Sequence, residues 1–159
     1  MDDQSPQQIQ TSSSDPFSQA LAALGRKERS VAEMTEWLRA RGLSEDEVET
    51  VVSRLTSIRM LDDARFARRY AEDKRSLQAW GTDRIRAALI ERGVSRDQIE
   101  EVLGDAGGEP EIERAVTLLR RRGTPLTEPQ QRQRALGLLA RRGYDAEVAY
   151  EAIRRAGRA

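Results

Sequence analysis

The stretch Leu89-Ile90-Glu91-Arg92-Gly93-Val94-Ser95-Arg96-Asp97-Gln98-Ile99 decides how this chain folds. Gly93 suits the left-handed position that ends a helix and that other residues avoid. Arg92 places a cation at the negative end of the helix dipole. Ser95 opens the next helix, and Gln98 stands three residues on, where it completes a capping box. Val94, between glycine and cap, is placed to staple the two helices together.

The block occurs three times. Gly42, Gly93 and Gly143 lie 51 and 50 residues apart. Leu38, Leu89 and Leu139 precede them by one helical turn, and Arg41, Arg92 and Arg142 by one residue. Leu43, Val94 and Tyr144 follow, then Ser44, Ser95 and Asp145. Two apolar columns come later, Val48, Ile99 and Ala149, then Val52, Leu103 and Ile153. Ser44 with Glu47 repeats the capping box. A long fixed period of this kind marks an array of supersecondary units.

A further helix precedes each pair. Asp15-Pro16 reads as N-cap and first residue of one over about 16–28, with Phe17, Ala20, Leu21 and Leu24 on one face. Ser30 and Glu33 form another capping box ahead of the second helix. Asp62 and Asp63 read as N-cap residues of a helix whose inner face carries Phe66, Ala67, Tyr70 and Ala71. Pro110 starts the last, with Ile112, Ala115, Val116 and Leu119 inside. The spacing is helical throughout, and no segment alternates like a strand. The expected fold is all-α: three tandem three-helix repeats, at 16–60, 61–108 and 109–159, forming an elongated, curved array. Residues 1–15, polar and almost without aliphatic groups, are expected to form a disordered tail. Gly107 and Gly108 read as a linker.

Composition narrows the chemistry. The 159 residues include no His and no Cys. That excludes disulfides, Ser-His-Asp and Cys-His catalysis, and an ordinary zinc site. No Gly-rich phosphate loop or metal-ligand spacing appears, so no cofactor is expected and an enzyme is the least favoured class. The 27 basic and 27 acidic residues balance, which argues against a protein that simply coats nucleic acid. Residues 110–159 nevertheless carry 11 basic and 6 acidic groups. With 25 Arg and 2 Lys, the cations are of the kind suited to forked recognition of carboxylate and phosphate. No targeting signal or apolar run of membrane-spanning length appears, so a cytoplasmic protein is expected.

Three arginine groups stand out. Arg65, Arg68, Arg69 and Arg75 fall opposite the apolar face of the helix after Leu61. Arg84 and Arg86 flank Ile85, pointing away from the core and free for a partner. Arg120, Arg121 and Arg122 end a helix, where dipole complementarity explains only one or two of them. Thr82 reads as an N-cap, and Trp80 as a core anchor.

The run Leu61-Asp62-Asp63-Ala64-Arg65-Phe66-Ala67-Arg68-Arg69-Tyr70 resembles the central signature of the RecX family. So does the later pattern of Gly81, Arg84, Ile85, Leu89, Gly93 and Val94. Unit one fits through Ala20, Leu21, Leu24, Arg29, Ser30, Glu33, Leu38 and Gly42. Unit three fits through Ala115, Leu118, Leu119 and Leu138-Leu139-Ala140-Arg141-Arg142-Gly143-Tyr144. The resemblance implies a non-enzymatic, monomeric regulator of the RecA recombinase. Such a protein binds the RecA filament on single-stranded DNA, lies along its groove, and inhibits its ATPase, recombinase and co-protease functions in DNA repair and the SOS response. The family defines no such site, but from exposure the expected contacts are Arg65, Arg68, Arg69, Arg75, Arg84, Arg86 and Arg120–Arg122. Two other readings stay open on the residues alone. One is a free-standing helical module acting on bare DNA, and the other is a plain helical scaffold.

Overall fold

The computed structural model describes residues 15–104 and 108–158. All of the expected tail except Asp15, and Gly107 of the expected linker, lie outside them. Nine helices form among the described residues: α1 Pro16–Arg26, α2 Val31–Ala40, α3 Glu45–Ser57, α4 Asp63–Gln78, α5 Thr82–Glu91, α6 Arg96–Leu103, α7 Glu109–Arg121, α8 Pro129–Arg142 and α9 Ala146–Ala156. No strand occurs among those residues.

Each set of three helices closes over its own core. The leucine column sits at the centre of each: Leu38, Leu89 and Leu139 are all fully buried. Each such side chain stabilises its unit by about 1.5–3 kcal/mol through removal of apolar surface from water. Phe66, Ala67 and Ala71 are buried on the inner face of α4, as the helical spacing predicts. Leu61, grouped with the second unit on sequence, packs into the first core instead. It lies ahead of the N-cap Asp62, where the chain is still folded back over α3.

The caps form, but not as boxes. Ser44 and Ser95 accept the Glu47 and Gln98 N–H groups at 3.3 Å. Their hydroxyls then donate to the Glu47 and Gln98 side chains at 3.0 Å. At the third expected box, Ser30 caps Glu33, while the Glu33 carboxylate pairs with Arg92. A reach-back of box type does occur at α8, where the Gln131 amide oxygen takes the Thr127 and Glu128 N–H groups.

The units meet at polar joints, and the same glycine turns make them. At the first joint the Ser30 hydroxyl donates to the Arg92 carbonyl at 2.5 Å. The Val31 N–H, first in α2, donates to the Asp63 carboxylate at 2.8 Å. At the second joint Gly81 N–H donates to the Arg142 carbonyl at 2.7 Å, and Asp83 N–H to that of Gly143 at 3.0 Å. The Thr82 N–H, first in α5, donates to the Glu111 carboxylate at 2.6 Å. In both joints, then, the N-terminus of a unit's second helix sits on the glycine turn of the following unit. An acid from that unit's first helix satisfies its leading N–H.

Two sequence expectations are corrected here. Thr82 is not an N-cap: Gly81 takes that place, and Thr82 is buried inside the second joint. Asp62 caps α4 through the Arg65 N–H, but Asp63 serves α2 of the neighbouring unit. Burial raises the Asp63 pKa above the ordinary carboxylate value, against the lowering effect of the Val31 hydrogen bond.

Candidate functional site: an arginine groove between units two and three

The second joint brings α4 alongside α7 and leaves a groove of about 850 Å³ between them. Arg68 and Arg75 line it from α4, Arg114 and Arg121 from α7, and Arg142 from the end of α8. In each of the first two helices the pair is spaced seven residues apart, two helical turns, so both arginines share a face. Glu72 and Glu113 are the carboxylates on the walls, and Ala71, Leu77, Ala79, Val102 and Leu118 supply apolar surface.

The groove is electrostatically unbalanced. Arg75 donates to the Thr82 hydroxyl at 3.3 Å, but its Nε, like that of Arg114, is buried and has no hydrogen-bond partner among the described residues. Burial lowers the Arg75 pKa below its ordinary value, and the neighbouring Arg114 adds to the effect. Behind them Glu111, only 4% exposed, is the buried counter-charge. Its carboxylate is committed to the Thr82 N–H. Tyr144 lies behind the lining residue Ala79. Burial pushes its phenol up to about 12, and its hydroxyl donates to the Ala79 carbonyl at 2.9 Å. Such a site suits an anion with forked acceptors. No group of three His, Cys, Asp or Glu able to hold a metal ion occurs among the described residues.

The arginine stripe expected on α4 divides. Arg68 and Arg75 turn into the groove, with Arg121 across from them. Arg65 and Arg69 turn toward unit one, where Arg65 donates to the Arg59 carbonyl at 2.8 Å and Arg69 pairs with Glu28 at 2.6 Å. Those two border a separate hollow with Leu21, Leu24 and Met60. Arg120 and Arg122 are exposed and lie outside the groove lining.

Arg84 and Arg86, expected to be free, are engaged within the chain. Arg84 lies 4.0 Å over the Trp80 ring and donates to the Arg141 carbonyl at 3.2 Å. Arg86 pairs with Glu100 at 2.5 Å and Asp83 at 2.9 Å. Flanking Ile85 did direct both away from the core, but Arg84 onto the end of α8 and Arg86 onto α6 and the first turn of its own helix. Trp80 is half-buried rather than a central anchor, held between Arg84 and Lys74.

Arg114 and Glu111 are not singled out by the sequence as parts of a site, and Arg142 stands out there only as one of the cations of the basic last third. A signal for Arg114 existed: its spacing from Arg121 matches that of Arg68 from Arg75. Glu111 had none, because its partner Thr82 is 29 residues away.

Comparison with known proteins agrees with the repeat architecture. A family model described as RecX, first three-helix domain, matches residues 17–55, and one described as RecX, second three-helix domain, matches residues 62–103. The chain is 37% identical over 146 residues to the regulatory protein RecX of Stenotrophomonas maltophilia, spanning 90% of this chain and 85% of that one. It is 35% identical over 141 residues to the regulatory protein RecX of Thermus thermophilus, spanning 89% and 92%. Among solved structures it is similar to RecX from Lactobacillus salivarius, with a TM-score of 0.81, 18% identity, and 90% and 95% of the two chains covered. At that identity the likeness is one of fold.

Proposed function

Because the chain belongs to the RecX family, we propose that it binds the filament that the RecA recombinase forms on single-stranded DNA. There it lowers the filament's ATPase, recombinase and co-protease activities, acting in DNA repair and the SOS response. It is a regulator rather than an enzyme, and works as a monomer in the cytoplasm. One observation carries the reading: three three-helix units stand in series, the first two matching RecX domain models, joined by their ends rather than merged into one core. A series of small bodies presents a long surface, suited to bridging successive subunits of a polymer. Arg68, Arg75 and Arg121 in the groove, with Arg65, Arg69, Arg120 and Arg122 outside it, are the contact residues. Arg84 contributes by tying unit two to unit three through the Arg141 carbonyl, and Arg86 by fastening α5 to α6 within unit two.

The test is the DNA-dependent ATPase rate of the cognate RecA, with this protein titrated well below one molecule per RecA monomer. A fall in rate at such ratios is expected, because one bound molecule affects many subunits of a polymer. No effect even at equal concentrations, with the protein shown to be folded, would refute the reading. Tight, steeply salt-dependent binding to bare DNA would then point to the nucleic-acid module.

A further inference from the structure

We infer that the groove between α4 and α7 is a docking site for an acidic segment of a protein partner, one carrying apolar side chains between its carboxylates. The inference rests on the regulatory reading and says which surface of the chain does the recognising and by what chemistry.

Charge is the first argument. Five guanidinium groups face two carboxylates across the groove, and Glu113 is already shared with Arg155 at 3.3 Å. Two arginine Nε atoms are buried without acceptors. Glu111, the counter-charge behind both, is a single anion already committed to the Thr82 N–H, so the two cations are under-compensated, which is unfavourable in the free chain. An incoming anion with forked oxygens relieves that imbalance, and carboxylates match the guanidinium fork.

The second argument separates a protein segment from a nucleic acid. Val102 and Leu118 lie in the lining, and Leu77 is 79% exposed at the mouth. Single-stranded bases are held chiefly by stacking on aromatic rings, and the lining has none, whereas the aliphatic side chains of a peptide cover such groups. Glu72 and Glu113 also stand where a continuous run of phosphates would meet them. Arginine beside a covered apolar group is the usual composition at the centre of protein interfaces. The volume, about 850 Å³, is of the order of a pocket (about 300–1,000 Å³) rather than of a duplex-sized channel.

The third argument is spacing. Arg68 to Arg75, and Arg114 to Arg121, each span seven residues, about 10 Å along a helix. The geometry therefore favours carboxylates about two helical turns apart, with an aliphatic side chain between them to meet Leu77 and Leu118.

The experiment compares three variants with the full-length parent. The first, Arg68→Glu with Arg121→Glu, reverses charge inside the groove at two exposed positions. The second, Leu77→Ser, changes no charge. The third, Arg96→Glu with Arg134→Glu, makes the same charge change at exposed positions outside the groove. Folding is verified by circular dichroism. Affinity is then measured for the cognate RecA filament, for a bare single-stranded oligonucleotide, and for a synthetic helical peptide with glutamates seven residues apart flanking leucines. The groove double variant should lose about tenfold or more in affinity for filament and peptide. Leu77→Ser should lose several-fold for both; in DNA affinity the groove double variant should match the control variant, and Leu77→Ser the parent. The inference is overturned if the groove variant behaves like the control. It is also overturned if Leu77→Ser is silent while charge reversal weakens bare DNA and filament in parallel, which would assign the groove to phosphates. Failure of the parent to bind the filament at all would refute the regulatory reading instead, and the peptide measurements would still decide the groove.

Discussion

Gly143→Ala tests the joint between units two and three, and Gly42→Ala is its internal control. Both glycines hold left-handed backbone, with φ of +92° and +84°. An alanine at either site bears a strain of about 1–2 kcal/mol, offset in part by the lower entropy of the unfolded chain. There the likeness ends. Among the described residues a Cβ on Gly42 meets nothing within 4 Å. A Cβ on Gly143 would lie 2.5 Å from the Arg84 nitrogen and 2.9 Å from its Cα. That is backbone of α5, so relief requires α5 to back away. The retreat opens Gly81 N–H to the Arg142 carbonyl and Asp83 N–H to the Gly143 carbonyl. At about 1 kcal/mol each, with the displaced packing in addition, the joint accounts for about 2–3 kcal/mol beyond the strain. Urea denaturation followed by circular dichroism should therefore show a loss of about 1 kcal/mol for Gly42→Ala and about 3–4 kcal/mol for Gly143→Ala. The Gly143→Ala transition should also split in two as unit three loses its coupling to unit two. Equal losses with single transitions in both variants would show that the turns act only as helix ends, and the joint argument would fall.

Two further predictions follow from buried and networked acids. Glu111→Ala removes the acceptor of the Thr82 N–H and the counter-charge behind Arg75 and Arg114, and should destabilise by about 3 kcal/mol in urea titrations. Glu111→Gln keeps an acceptor and should fall between it and the parent. In unit three, hydrogen bonds from Arg154 and then Arg155 hold the Glu151 pKa down to about 2. A carboxyl depressed on folding stabilises above its unfolded value and loses that contribution as pH falls toward its folded one. The melting temperature should accordingly drop more steeply between pH 5 and about 2.5 in the parent than in Glu151→Gln. Parallel slopes would refute the assignment.

The helices were legible because local rules agree about them. The leucine column, the glycine at the helix end and the polar cap after it act within one turn, so the linear order of residues carries their meaning. The joints were not legible for the opposite reason. Ser30 finds the Arg92 carbonyl 62 residues on, and no periodicity reports a contact of that span. The repeat itself hides them, since being helix ends is a sufficient local role for Gly93 and Gly143, and their second use, seating a neighbouring helix, leaves no mark on the linear pattern. Asp63 is hidden in the same way: beside Asp62 a second capping acid is redundant locally, and only the approach of α2 explains it. The α4 arginines share one outward side on a helical wheel. They were divided by what lies beside that helix, unit one for Arg65 and Arg69 and α7 for Arg68 and Arg75.

The end-to-end joints give the array a direction of growth. Each joint needs a glycine turn as a seat and, from the preceding unit, a helix start to rest on it. Among the described residues the Gly42 turn is a seat with no occupant. At the other extremity the start of α8 is already closed by Gln131 reaching back to Thr127 and Glu128. A fourth unit engineered ahead of α1 would find a landing place ready, whereas one engineered after α9 would first have to dislodge that closure. Lengthening the ruler is thus a one-sided operation, and its blind end is set by two residues, Glu128 and Gln131.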